Sequence, residues 1–130
     1  MLSRRQICIG AALAAFFIVQ PAIAAEKQNY SAAAFKAAQL AGDPILVEIH
    51  ATWCPTCKAQ EPILAELERD PKFKTLKVFH VDFDSQADAV RKFAAQVQST
   101  LIVFKGKEEK ARSVGETDQG RIAALLDKAI

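Results

Sequence analysis

Apolar residues in this chain fall into short runs whose spacing alternates between the period of a strand and that of a helix. Ile45-Leu46-Val47-Glu48-Ile49-His50-Ala51 is β-branched and mostly apolar, the pattern of a strand buried on both faces. Lys58 to Arg69 carries Ile63, Leu64 and Leu67 at spacings that build one apolar helix face. Leu76 to Phe83 alternates as a second inner strand, and Thr100 to Phe104 reads as a third. Lys105-Gly106-Lys107 then turns the chain into a last strand near Lys110 to Val114.

Polar punctuation places the remaining elements. Glu26 to Tyr30 is a polar leader that adds a short edge strand. Ser31 caps a helix running to about Ala41, which Gly42-Asp43-Pro44 ends. Asp70-Pro71 marks a break, and Asp84 or Ser85 starts a helix through Phe93. Thr117 or Asp118 caps a terminal helix whose Ile122, Leu125, Leu126 and Ile130 face the sheet. The expected architecture is α/β: a central mixed sheet with a parallel inner portion, a final hairpin and helices on both faces.

Within that frame the informative segment is Trp53-Cys54-Pro55-Thr56-Cys57-Lys58, at the junction of a buried strand and a helix. Unpaired backbone N–H groups and the positive end of the helix dipole favour a thiolate over a thiol there. Cys54 is the expected nucleophile, with its sulfur exposed. Cys57, one turn further in, is placed to attack a mixed disulfide on Cys54 and release a reduced partner. Two other readings stay open. A structural disulfide would close a loop too short to remove much chain entropy. A zinc site needs four ligands, and only His50 and His80 are available to join the pair.

The chain from about Ser31 to Ile130 resembles the thioredoxin family. The resemblance is carried by W-C-x-x-C-K at Trp53 to Lys58, by Pro62 five residues after the second cysteine, and by an acidic residue, Glu48, six before the first. Leu101-Ile102-Val103-Phe104-Lys105-Gly106 looks like the family's fourth strand and turn, and Val114-Gly115 like its last strand end. It implies the thioredoxin fold and thiol-disulfide oxidoreductase activity, with no cofactor. It also implies substrate contacts at Trp53 and at the loop Ser99-Thr100, with Pro55, Thr56 and Pro62 in support.

Two departures bear on the site. The family's cis-proline facing the cysteines falls on Ser99 in Gln98-Ser99-Thr100-Leu101, so the loop is either trans or strained, and a hydroxyl donor is expected near the sulfur. Glu48 stands where aspartate is usual, and His80 where a lysine is frequent. A carboxylate in an apolar strand is costly to ionise, so its pKa is expected to rise, which suits a group that accepts and returns the Cys57 proton. His80 is a possible partner for Glu48, and His50 has no partner that the sequence names.

Met1 to Ala25 reads as an export signal, leaving residues 26–130 as one thioredoxin-like domain. A basic start (Arg4, Arg5) is followed by an apolar stretch from Ile7 to Val19 and a small-residue end, Ala22-Ile23-Ala24. Ser3-Arg4-Arg5-Gln6-Ile7 also resembles a twin-arginine signal. An uncleaved inner-membrane anchor competes, but the apolar run is short and Pro21 follows it. Removal of the segment leaves two cysteines, which in an exported chain serve exchange better than stapling. Of 17 basic and 15 acidic residues, the segment takes two basic ones, leaving 15 of each sign and no sign of a nucleic-acid partner.

These features point to a monomeric periplasmic oxidoreductase, a reductase by its compact form. It would exchange with cysteines of exported proteins and take electrons from a membrane donor. The competing reading is a metal-binding or metal-delivery module using the same cysteines.

Overall fold

The computed structural model describes residues 14–20 and 24–130. Much of the expected leader, including Arg4, Arg5, Cys8 and Pro21, lies outside the described residues. No described helix is long and apolar enough to cross a membrane.

The elements run in the order β1 (Glu26–Asn29), α1 (Ala32–Leu40), β2 (Pro44–His50), α2 (Pro55–Arg69), a 3-10 turn (Pro71–Phe73), β3 (Lys77–Asp82), α3 (Ala87–Lys92), β4 (Thr100–Lys105), β5 (Glu108–Val114) and α4 (Gln119–Asp127). The described strands form one sheet in the order β1-β3-β2-β4-β5. β1 and β2 flank β3 in parallel, whereas β4 runs antiparallel to both β2 and β5.

Local chemistry sets most boundaries. Ser31 accepts a hydrogen bond from the Ala34 amide to start α1, and Asp118 accepts one from the Arg121 amide to start α4. The start of α3 differs from the sequence expectation. The Asp82 carboxylate takes the amides of Asp84 and Ser85, so neither of those residues caps the helix, and α3 begins only at Ala87. The last turn differs as well: Ile130 is half exposed, and Ala129 fills the buried position. With α4 ending at Asp127, the spacing that would carry Ile130 onto the sheet no longer applies.

Strand alternation divides β2 between two cores. Ile45, Val47 and Ile49 join Phe35, Phe79, Val90, Phe93 and Phe104 under α1 and α3. Leu46 joins Leu64, Leu67, Val78, Leu101, Ile122 and Leu126 under α2 and α4. Glu48 and His50 follow Leu46 by steps of two, so they stand on the α2 face, opposite the helix that begins at the cysteines.

Candidate active site

Cys54 is the N-cap of α2: its Sγ accepts the Cys57 amide at 3.1 Å, and Pro55 follows at the first helical position with its φ already set. Both cysteines are free thiols. Capping turns the Cys54 sulfur inward against Ala51, Cys57 and Phe83, and the residue is 1% exposed, not open to solvent as the sequence implied. Its chain neighbours Thr52, Trp53 and Pro55 are exposed, so the cover is thin.

The two sulfurs diverge in acidity. Burial pushes Cys54 up, but hydrogen bonds from the Cys57 thiol and amide, the Gln98 side chain and the Thr56 amide outweigh it and hold the thiol below its ordinary value. Cys57 is pushed up to about 11, first by burial and then by its hydrogen bond to Cys54.

Trp53 is 56% exposed, its Nε1 donating to Asp84 Oδ2 at 2.7 Å. Ser99 and Thr100 are buried, and their hydroxyls donate to the carbonyls of Gln98 and Val97. The expected Ser99 hydroxyl is therefore turned away from sulfur. The backbone of Ser99 hydrogen-bonds Cys57 instead, while the Gln98 side chain serves Cys54. None of the described peptide bonds is cis, and Ser99 adopts φ +60°. A left-handed serine costs on the order of 1–3 kcal/mol and persists where its surroundings over-determine it. Here the Ser99 carbonyl accepts from the Gly115 amide at 3.0 Å and from buried Gln60 Nε2 at 3.3 Å. Gln60 also donates to the Glu116 carbonyl at 2.9 Å, tying α2 to both flanking loops. Pro62 lies exposed within α2 and removes the bond to the Lys58 carbonyl.

Behind Cys57 is a cavity of about 300 Å³ lined by Glu48, His50, His80, Gln60, Lys27 and Leu101, among others. Glu48 is buried, with Lys27 Nζ 3.0 Å and His80 Nδ1 3.5 Å from its Oε2. Parallel register sets Glu48 beside His80. His50 does have a partner, Glu61 Oε1 of α2 at 2.8 Å, and its ring lies 4.8 Å from that of His80. Among the described residues no group of three or more His, Cys, Asp and Glu side chains is placed to hold a metal ion. The metal-module reading finds no ligand set there.

Glu48 does not titrate as its apolar strand suggested. Burial raises its pKa, but the hydrogen bond from His80, the charge of Lys27 and a hydrogen bond from Glu68 bring it below the ordinary value. The carboxyl that is raised, to about 7, is Glu68 near the end of α2, first by burial and then by Glu48. Lys27 and Glu68 escaped the sequence reading because each looks like a surface charge. Only the eleven-residue step from Cys57, about three helical turns, hints that Glu68 shares its face.

Between the ordinary glutamate value of 4.5 and about 7, the folded chain keeps on Glu68 a proton that the unfolded chain has lost. This group's contribution is thus complete below 4.5 and is lost as pH rises through 7. Relative to the parent protein, Glu68→Gln is expected to gain thermal stability between pH 5 and pH 8, as measured by paired melts.

The thioredoxin family model matches residues 23–128. Thioredoxin of Pseudomonas aeruginosa is 36% identical over 103 residues, 78% of this chain and 94% of that protein. Thioredoxin C-2 of Corynebacterium nephridii is 36% identical over 87 residues, 67% of this chain and 80% of its own length. The crystal structure of Trxlp from Edwardsiella tarda superposes with a TM-score of 0.76 at 42% identity, covering 78% of this chain and 98% of that one. The fold, the cysteine pair at the head of α2 and these likenesses agree, and the chain belongs to the thioredoxin family of thiol-disulfide oxidoreductases.

Proposed function

We propose that this protein is an exported, periplasmic thiol-disulfide reductase in which Cys54 attacks the partner's disulfide and Cys57 resolves the mixed disulfide. The observation that carries the reading is the place of Cys54 as the cap of α2, its Sγ accepting the Cys57 amide at 3.1 Å: its hydrogen bonds ease that thiol toward thiolate, while burial beside it pushes Cys57 up to about 11. A thiolate at 54 makes the first bond, and a protonated sulfur at 57 does not compete for it. Glu48, ionised and facing Cys57 across their shared cavity, takes the Cys57 proton at the second step. Exposed Trp53 and the backbone at 98–99 form the surface that receives the partner chain, with Pro55 and Thr56 shaping the first turn.

Thioredoxins act on protein disulfides and take electrons from reductases. A reductase is supported by the short interval between Phe83 and Ser99, which holds only the six-residue α3. Export is supported by the basic, apolar and small-residue segments of residues 1–25. In an oxidising compartment the dithiol must be regenerated, so a membrane thiol donor is the implied partner and cysteines of exported proteins the substrates.

Equilibration of the pair with glutathione is expected to return a reduction potential near that of a cytosolic thioredoxin, about −270 mV. A value near −120 mV, that of strong periplasmic oxidants, overturns the direction.

A further inference from the structure

Two charged side chains beside Glu48 have no part in the exchange set out above: Lys27 of β1 and Glu68 of α2. Lys27 Nζ lies 3.2 and 3.0 Å from the two carboxylate oxygens of Glu48 and 3.5 Å from Oε1 of Glu68. With His80 of β3 against Glu48, and His50 of β2 and Cys57 and Glu61 of α2 lining the same cavity, these are the charged and titratable groups about the two carboxyls among the described residues. Among the described residues Glu68 Oε1 is buried without a hydrogen-bond partner, with Lys27 Nζ 3.5 Å away. Two ionised carboxylates cannot hydrogen-bond each other, whereas one shared proton joins them and satisfies the pair.

Exposure grades outward along the same groups. The Glu48 side chain is 6% exposed, that of Glu68 12% and that of Lys27 45%. The inner end of the series lines the cavity that Cys57 also lines. A proton given up by Cys57 therefore meets, in order, a carboxylate in the core, a second carboxyl nearer the surface, and water.

We propose that Glu68 and Lys27 form the proton outlet of the active site: the proton that Cys57 yields to Glu48 leaves the core through the hydrogen bond between the two carboxyls, with Lys27 balancing their charge. The inference rests on the reading of Glu48 as the base. In the resolving step the Cys57 thiol loses its proton to Glu48, and the sulfur's electron pair forms the bond to Cys54 Sγ. The bond from Cys54 to the partner's sulfur breaks, and the partner leaves with that electron pair as a thiolate and takes a proton from solvent. Glu48, now an acid, donates to Glu68 as Glu68 releases its own proton to water. The pair ends with the one proton it began with. Two electrons have passed from the dithiol to the partner.

Below about pH 7 the resting proton sits on Glu68, because burial and Glu48 raise it while Glu48 is lowered. When Glu68 ionises, its charge strengthens Glu48 as a base. Glu68 acts through Glu48, so it is a positioning residue, and its signature is a pH profile.

Stopped-flow reaction with a chromogenic aryl disulfide separates the two steps, since attack by Cys54 releases one coloured thiolate and resolution by Cys57 the second. In the parent protein the second phase is expected to quicken about three- to tenfold through an inflection near pH 7, the effect of a like charge that shifts Glu48 by about one unit. Glu68→Gln, which keeps a neutral donor in place but takes up no proton for release, is expected to lose that inflection and to run the second phase more slowly than the parent at every pH. A Glu68→Gln profile superimposable on the parent's overturns the outlet. Should Glu48→Gln leave the second phase untouched, the base reading itself fails; should Glu48→Gln slow it while Glu68→Gln changes nothing, only the outlet fails. Carboxyl ¹³C titration of the parent protein needs no variant: a glutamate titrating near pH 7 supports the proposal, and none above pH 6 overturns it.

Discussion

Cys57→Ser is expected to trap the protein on its substrates. Cys54 keeps its position as the cap of α2 and most of the hydrogen bonds that favour its thiolate, so the first attack on a protein disulfide proceeds. Serine has no sulfur with which to displace the partner, and the mixed disulfide persists until external thiol cleaves it. Well-oriented intramolecular reactions reach effective molarities of about 10⁵ M or more, so a thiol at about 10⁻³ M is a replacement slower by up to about 10⁸-fold. Catalysed reduction of insulin should fall accordingly. Non-reducing electrophoresis of cells expressing the variant should show adducts with exported proteins that dithiothreitol dissolves. Full insulin turnover by Cys57→Ser, or a complete lack of adducts, removes the resolving role from this residue. Cys54→Ser supplies the contrast, because it should lose both turnover and adducts.

Phe35→Ala is expected to cost about 3–5 kcal/mol, the range for removing a buried aromatic side chain. Phe35 is 2% exposed and sits at the centre of the core under α1, with ring centroids 5.1 Å from Phe93, 5.4 Å from Phe104, 5.6 Å from Phe79 and 5.8 Å from Tyr30. Edge-to-face packing of this kind adds about 0.5–1.5 kcal/mol per pair beyond area burial. α1 has little else to hold it: Phe35 and Ala38 are its only buried residues. For a domain of this size a loss of about 3–5 kcal/mol lowers the melting temperature by roughly 10–30 °C. Calorimetry checks it, and a fall of only a few degrees would mean that Tyr30 and Phe93 collapse into the space. The cysteine chemistry, on the other face of the sheet, should survive below the new transition.

The elements that were legible from the chain share one property: their cause lies within a few residues. Ser31 and Asp118 cap their helices through amides three residues away, and Cys54 does the same for α2. The two-residue alternation of β2 and the helical spacing of Leu64 and Leu67 assign faces by themselves. Even the edge strand β1 follows from a polar leader beside a parallel partner. Where neighbours in the chain competed, the sequence misled: Asp82 captured the amides that would have gone to a cap at Asp84 or Ser85. At the last turn, burial of Ala129 left Ile130 outside.

The site divides along the same line. Residue type and chain order alone placed a cysteine pair at a helix start and a carboxylate six residues before it, and the resemblance to the thioredoxin family put a serine where that family turns its loop with proline. Tertiary structure decided the rest. It buried the Cys54 sulfur, spent the hydroxyls of Ser99 and Thr100 on nearby carbonyls, put Ser99 in a left-handed turn held by Gln60 from 39 residues away, and gave His50 the partner Glu61. It also moved the raised carboxyl from Glu48 to Glu68, since desolvation and Coulomb energy depend on distance in space, and Lys27, His80 and Glu68 reach Glu48 only when β1, β3 and α2 are packed around it.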